Sequence, residues 1–135
     1  MSYRRTTGTR NAVCGFEASL FDDGTIEFRS GDRPLDVNDS DTGVLLATAS
    51  FDDPAFGEAG AANPGEAAAE AITGDDSIDE SGEVGHAVFR DSNGDKIGDA
   101  TCGPPASGAD IIFDNPFLVQ GGELLVPSLK LIEEE

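Results

Sequence analysis

The chain has 135 residues, the size of one domain, and a formal net charge of −19 from 27 acidic and 8 basic residues. This charge repels phosphate backbones and argues against direct binding of nucleic acid, and no apolar run reaches the roughly 20 residues of a membrane span. The start, MSYRRTTGTRN, is polar and predicts no secretory leader. Only Lys96 and Lys130 are lysines, which favours a protein adapted to molar salt, where the Debye length falls to about 3 Å. The alternatives are an ordinary acidic surface protein and an anionic protein that seeks a basic partner.

The N-terminal segment is the basic part of this acidic chain. We expect residues 1–8 to form a flexible basic arm ahead of a single β-sandwich domain, residues 9–135. Arg4, Arg5 and Arg10 are candidates for docking on an acidic partner. A frayed terminus without a function is the alternative.

Residues 9–22 predict a short amphipathic helix, because Val13, Phe16 and Leu20 recur at helical spacing. An opening strand is the alternative for the same residues. The candidate N-caps are Thr9 and Asn11.

Two alternating stretches, Thr25–Ser30 and Val44–Phe51, predict half-buried β-strands. In the first, Ile26 and Phe28 share one face. The second places on one face Leu45, Ala47, Ala49 and Phe51. The acidic, turn-rich loop between the strands is long, and loops of this length tend to be functional or to cover a sheet edge.

The middle of the chain is harder to assign. Residues 52–64 read as an irregular connection that anchors Phe56 in the core. Glu66–Thr73 (EAAAEAIT) has the composition of a helix, but it is short and is bracketed by Gly65 and Gly74. We therefore predict a strand, with tertiary context overriding helix propensity.

The last third of the chain predicts further strands. An acidic loop over residues 74–81 precedes them, Asn93–Gly94 is a strong hairpin signal, and Pro127 argues for an edge position. The predicted strands are Val84–Asp91, Asp95–Cys102, Asp110–Phe113 and Glu123–Ile132. About seven short strands and one short N-terminal helix predict a mainly β chain, folded as an antiparallel β-sandwich.

One acidic turn is similar to the opening of a calcium loop. Asp91, Asn93 and Asp95 match the pattern D-x-N-x-D. Lys96 stands where such loops need glycine, and Cys102 stands where they need a bidentate glutamate. A simple hairpin turn is the favoured interpretation, and calcium binding by these residues is the alternative.

No catalytic set can be assembled from the sequence. His86 is the only histidine, which excludes a multi-histidine metal site, and no serine or cysteine lies in a nucleophile motif. We expect a satisfied or surface histidine, a non-enzymatic protein and no cofactor. The sequence leaves open whether Cys14 and Cys102 form a disulfide or remain two partly buried thiols.

Four runs of the chain together resemble a family of small proteins encoded in the structural gene blocks of tailed viruses. They are IEFRSGDRPLDVNDSDTGVLLATASFDDPAF, GEAAAEAIT, GHAVFRDSNGDKIGDAT and GADIIFDNPFLVQGGELLVPSLKL, within residues 25–132. The matching residues are Ser30, Gly31, Pro34, Thr42, Gly43, Leu45, Leu46, Ala47, Ala55, Phe56, Phe89, Arg90, Asp91, Ser92, Gly94, Gly121 and Gly122. The chain departs from the family in its Asp-rich loops, its basic arm and Phe28, where the family has tyrosine.

The resemblance implies a virion component with no catalytic residues to carry over. Together with the acidity, it implies a virus of a salt-loving archaeon. The first hypothesis is a capsid decoration (cement) protein, a homo-oligomer that binds the outside of the major capsid protein lattice through apolar packing and the basic arm. The alternatives are a neck or tail component of the same virion and a glycan- or calcium-binding β-sandwich used in host attachment.

Overall fold

The fold is known from a computed structural model, which describes residues 3–126 and 130–132. These residues form one helix, α1 (Thr7–Ser19), and nine strands. The strands are β1 (Thr25–Ser30), β2 (Leu45–Phe51), β3 (Glu66–Ala68), β4 (Ile72–Thr73), β5 (Gly82–Arg90), β6 (Lys96–Gly103), β7 (Ile111–Ile112), β8 (Phe117–Leu118) and β9 (Lys130–Ile132).

Seven strands form one curled sheet in the order β4-β2-β1-β5-β6-β7, with β8 paired to the start of β5. A separate two-stranded ladder joins β3 to β9, and α1 packs against both of its strands. The predicted mainly β chain with one N-terminal helix is confirmed. The prediction of a purely antiparallel sheet is wrong, because β6 and β7 pair in parallel.

The first two strands form where their alternation predicts. On β2 the predicted face fails at one position: Leu45 is only half-buried and Leu46 is buried instead, because the register with β1 shifts there. Ile26 and Phe28 are buried on the core face of β1, and Ala47 and Ala49 are buried opposite them on β2. Burial of these apolar faces is the main favourable contribution to the packing of the sheet.

Aromatic side chains close the core near the start of β1. Phe21 makes edge-to-face contacts with Phe51, Phe56 and Phe89, with ring centroids 5.6, 5.4 and 5.6 Å away. Such pairs add about 1 kcal/mol each beyond the area they bury. The predicted core anchor, Phe56, is confirmed.

The helix begins earlier than predicted. Thr6 is the N-cap, and its Oγ1 accepts a hydrogen bond from the backbone N–H of Thr9 at 3.2 Å. The helix therefore includes Thr7 and Gly8, which the sequence assigned to the arm, and neither predicted N-cap is used.

Two predicted strands differ from the structure. Residues 66–73 are extended as predicted, but they divide into β3 and β4, which belong to different sheets. Within residues 123–132, β9 is the described strand, and Leu124 forms an isolated bridge with Asp75. Pro127 lies outside the described residues. The short strand β8 was not predicted, because its two residues are too few to show alternation.

Candidate docking surfaces

The outward face of α1 carries an apolar groove. Its volume is about 390 Å³ and it is lined by Ala12, Val13, Phe16, Glu17 and Leu20. Phe16 is 71% exposed and Leu20 41% exposed. We call this set of five residues the α1 surface. Large apolar side chains in this position are typical of a surface that another molecule covers.

The helix buries its small residues instead of its large ones. Cys14 is fully buried and Ala18 nearly so, whereas the predicted apolar stripe of Val13, Phe16 and Leu20 lies on the α1 surface. Close packing of α1 against β3 and β9 leaves room only for small side chains. The sequence therefore showed that the helix is amphipathic but not which face is buried.

The three predicted docking arginines have different surroundings. Arg4 is exposed and Arg5 is partly buried, just ahead of the helix. Arg10 lies within α1, and its Nη2 donates a hydrogen bond to the carbonyl of Pro64 at 3.2 Å. Arg10 therefore ties the helix to the segment before β3, while Arg4 and Arg5 lie at the N-terminal end of the α1 surface.

A second group of exposed apolar side chains lies on the loop between β1 and β2, residues 31–44. Leu35 is fully exposed, and Val37 and Val44 are 43% and 54% exposed. We call these three residues the loop surface. They alternate along the loop with aspartates, so the loop surface is both apolar and acidic.

Ion pairs hold this loop against the outer face of the sheet. Asp41 pairs with Arg90 of β5 and, at 3.3 Å, with Nζ of Lys96 at the start of β6. Arg33 pairs with Asp99 of β6 at 3.4 Å. All of these side chains except that of Arg33 are at most 21% exposed, so solvent screens these pairs less than ordinary surface ones.

The charges in this cluster keep one another ionised. Burial tends to raise the pKa of Asp41, but the positive charges of Arg90 and Lys96 outweigh it, and the pKa lies below its usual value of 3.8. A hydrogen bond from Arg90 to Glu27, followed by the charge of Asp41, raises the pKa of the Arg90 guanidinium. Asp41 and Arg90 therefore stay charged at neutral pH.

His86 is a structural residue at the base of the loop. It is fully buried on β5, and its Nδ1 lies 2.9 Å from the carbonyl oxygen of Gly31. Among the described residues, its Nε2 has no hydrogen-bond partner, so this histidine is satisfied at one ring nitrogen only and is not a surface residue.

In the calcium-like turn, the side chain of Asp91 bonds to the backbone of the turn itself. Oδ1 of Asp91 accepts hydrogen bonds from the N–H groups of Asn93 and Asp95 at 2.9 and 3.0 Å, and Gly94 adopts a φ of 86°. This is the geometry of the predicted hairpin turn. Within residues 3–126 and 130–132, no three His, Cys, Asp or Glu side chains are grouped to hold a metal ion.

Neither Cys14 nor Cys102 forms a disulfide among the described residues, and both are buried. Burial, with the negative charge of Asp110, raises the pKa of the Cys102 thiol to about 12. Cys102 is therefore protonated and inert at neutral pH.

The described residues form a mainly β protein with one helix, and exposed apolar side chains lie on α1 and on the loop between β1 and β2. Comparison with known proteins finds no matching family model, curated protein or solved structure. In the described part of the chain, no helix has the length and apolar character needed to cross a bilayer.

Proposed function

We propose that this protein is a non-enzymatic virion structural protein, a decoration protein on the outside of a capsid. The observation that carries the proposal is the α1 surface, where Phe16 and Leu20 are exposed on the helix that follows Arg4 and Arg5. A helix with an apolar outer face is a common element of protein–protein docking. The virion context comes from the motif resemblance in residues 25–132.

The apolar side chains provide most of the affinity in this proposal. In molar salt the Debye length is about 3 Å, so Arg4 and Arg5 contribute only at direct contact with acidic groups. An aromatic anchor such as Phe16, buried at the centre of an interface, contributes about 2 kcal/mol or more. The arginines then select an acidic neighbour in the particle rather than supply the binding energy.

The fold we propose for this role is the predicted β-sandwich, in which the β3–β9 ladder forms part of the second sheet. Two aromatic side chains of the connecting segments support it. Phe21 packs against Phe51 and Phe89 of the main sheet, and Phe56 packs against Phe51. A rigid sheet with its loops outward suits a protein that works through the surface it presents.

Particle stoichiometry tests the function. We expect the protein in purified virions at a copy number comparable to that of the major capsid protein, with cryo-EM density on the capsid exterior. Density confined to the neck or tail, with a small fraction of that copy number, would show that the neck or tail alternative is correct.

Rebinding to capsids tests the surface. Capsids stripped of the protein should rebind the purified wild-type chain, and Phe16→Ser should reduce the occupancy about tenfold or more. Phe117→Ser is the matched control, because Phe117 is also exposed, at 55%, but lies on β8. Equal occupancy of the capsid by the two variants would show that the α1 surface does not bind it.

A further inference from the structure

We propose that Asn93 is a site of spontaneous deamidation, at a rate that the turn around it restrains. The reaction converts the side-chain amide to a carboxylate and needs no enzyme, because a backbone nitrogen is the nucleophile and water is the co-reactant. The inference goes beyond the proposed function and does not depend on it. It rests on the glycine that follows Asn93, on the side chain of Asn93 and on the hydrogen bonds of the hairpin between β5 and β6.

The chemistry exchanges the side-chain nitrogen for a backbone nitrogen and then for water. The backbone nitrogen of Gly94 attacks Cγ of Asn93, the new C–N bond closes a succinimide ring, and the Cγ–Nδ2 bond breaks. The proton of the Gly94 N–H leaves with Nδ2 as ammonia. Water then opens the ring at either carbonyl, which gives aspartate or isoaspartate and adds a negative charge.

The glycine after Asn93 leaves the attacking nitrogen unshielded. Gly94 has no Cβ beside that nitrogen, and it adopts a φ of 86°. A Cβ built on Gly94 would meet nothing within 4 Å, so the backbone there borders open space. Asn93 and Gly94 are both exposed to the water that opens the ring, and they form the only Asn-Gly pair in the sequence.

The side chain of Asn93 also differs from those of the other asparagines. Within residues 3–126 and 130–132 it forms no hydrogen bond, so its amide can rotate to present Cγ to the nitrogen of Gly94. None of the other asparagines precedes a glycine, and a hydrogen bond restrains each of their side chains. These bonds join Asn11 to the N–H of Gly65 at 2.8 Å, Asn38 to Asp36 at 3.1 Å, Asn63 to Glu66 at 3.4 Å and Asn115 to the N–H of Phe117 at 3.1 Å.

Asp91 restrains the reaction by holding the turn. The N–H of Gly94 donates to the carbonyl of Asp91 at 3.0 Å. Oδ1 of Asp91 accepts from the N–H groups of Asn93 and Asp95 at 2.9 and 3.0 Å. The attacking nitrogen must leave its hydrogen bond before it reaches Cγ, so the native turn reacts more slowly than an unfolded chain.

The modified turn lies next to the ion pairs that hold the loop between β1 and β2. Arg90 and Lys96, the partners of Asp41, flank the turn, and Nη1 of Arg90 donates to the carbonyl of Gly94 at 3.4 Å. Isoaspartate lengthens the backbone ahead of Gly94 by a carbon atom and displaces that carbonyl. Deamidation therefore weakens the attachment of the loop as the protein ages.

Peptide mapping by mass spectrometry tests the proposal. The folded wild-type protein and the synthetic peptide RDSNGDK, residues 90–96, are incubated in the same mildly alkaline buffer until the peptide has fully converted. Asn93 of the protein should gain the mass of an amide-to-acid conversion about tenfold faster than Asn38, which is also exposed but precedes Asp39. An Asn93 that keeps its amide throughout, or an Asn38 that converts equally fast, would overturn the inference.

Variants of the turn test the restraint. Asp91→Ala removes the side-chain acceptor of the turn and should accelerate the conversion of Asn93 about fivefold, whereas Ser92→Ala, in the same exposed turn, should convert like the wild type. Circular dichroism confirms folding, and wild-type protein unfolded in urea, which should convert at the rate of the peptide, measures the restraint without a variant. Equal rates for the folded protein, the Asp91→Ala variant and the unfolded chain would overturn the role of Asp91.

The aged protein tests the consequence for the loop. Anion exchange separates the deamidated form by its added charge, and that form should unfold at a lower urea concentration than the unmodified protein. Equal unfolding midpoints would overturn the link between the turn and the loop.

Discussion

Asp41 shows how one side chain fastens a long loop to a sheet. It contacts two cations from different strands, Arg90 of β5 and Lys96 of β6. Both cations also contact other carboxylates, Glu27 at 3.2 Å and Asp99 at 3.6 Å. Removing Asp41 therefore leaves both cations paired but takes away two of the ion pairs that hold the loop, while Arg33 still pairs with Asp99 of β6.

We predict that Asp41→Asn lowers the free energy of unfolding by about 2 kcal/mol at pH 7. The pKa of Asp41 lies below its ordinary value of 3.8, so the ionised form stabilises the fold above that value. This contribution disappears as the pH falls from about 3.8 through the folded pKa. Urea denaturation of wild type and variant between pH 7 and pH 2.5 measures the difference, which should shrink only at the acid end.

Asp39→Asn is the control for this measurement, because Asp39 is an exposed residue of the same loop. It should change the free energy of unfolding by less than about 0.5 kcal/mol. A difference between Asp41→Asn and wild type that stays constant down to pH 2.5 would contradict the assigned pKa direction.

At the scale of elements, the loop leaves the sheet through a close contact between two glycines. A Cβ atom added to Gly85 of β5 would lie 2.0 Å from the carbonyl oxygen of Gly31, well inside the van der Waals limit. The same carbonyl lies next to Nδ1 of His86. The absence of a side chain at Gly85 therefore lets the first residue of the loop pack against β5.

We predict that Gly85→Ala costs about 3 kcal/mol of unfolding free energy, because backbone atoms must move to admit the methyl group. Gly98→Ala on the adjacent strand β6 is the matched control, since nothing lies within 4 Å of its added Cβ. That control should be neutral or slightly stabilising, as expected for a glycine replaced within a strand. Thermal or urea unfolding measures the stability of both variants. Equal losses of unfolding free energy would contradict the close contact between Gly85 and the carbonyl of Gly31.

At the scale of the whole molecule, charge opposes folding. With 27 acids and 8 bases, acidic side chains outnumber basic ones more than threefold, and their mutual repulsion is relieved when the chain unfolds. Salt weakens this repulsion and also weakens the few ion pairs, but the pairs around Asp41 are largely buried and are screened less.

We predict that the free energy of unfolding rises by about 2 kcal/mol between about 0.1 M and 2 M KCl, or roughly 5–10 °C in melting temperature. A variant with three exposed carboxylates neutralised, Asp52→Asn, Asp53→Asn and Asp76→Asn, should be more stable at low salt and show a smaller rise. Calorimetry across the salt series measures the melting temperatures of the wild type and the variant. If the melting temperature rises equally with KCl concentration in both, the salt effect does not arise from carboxylate repulsion.

The sequence by itself determined the features that depend on near neighbours. Alternation over Thr25–Ser30 predicted a strand, and Ile26 and Phe28 became its buried face. Asn93–Gly94 predicted a hairpin, because a turn with positive φ needs glycine at that position. The acidic composition determined the electrostatics of the whole surface.

Tertiary structure alone decided the features that depend on distant residues. Asp41 and Arg90 are 49 positions apart, so no local pattern could pair them. The helical spacing of Phe16 and Leu20 is equally compatible with either face buried, and the narrow space above β3 and β9 selected Cys14 and Ala18. The parallel pairing of β7 likewise depends on where the chain returns to β6. Periodicity reports how a segment divides into faces, whereas packing against the rest of the chain decides which face meets water.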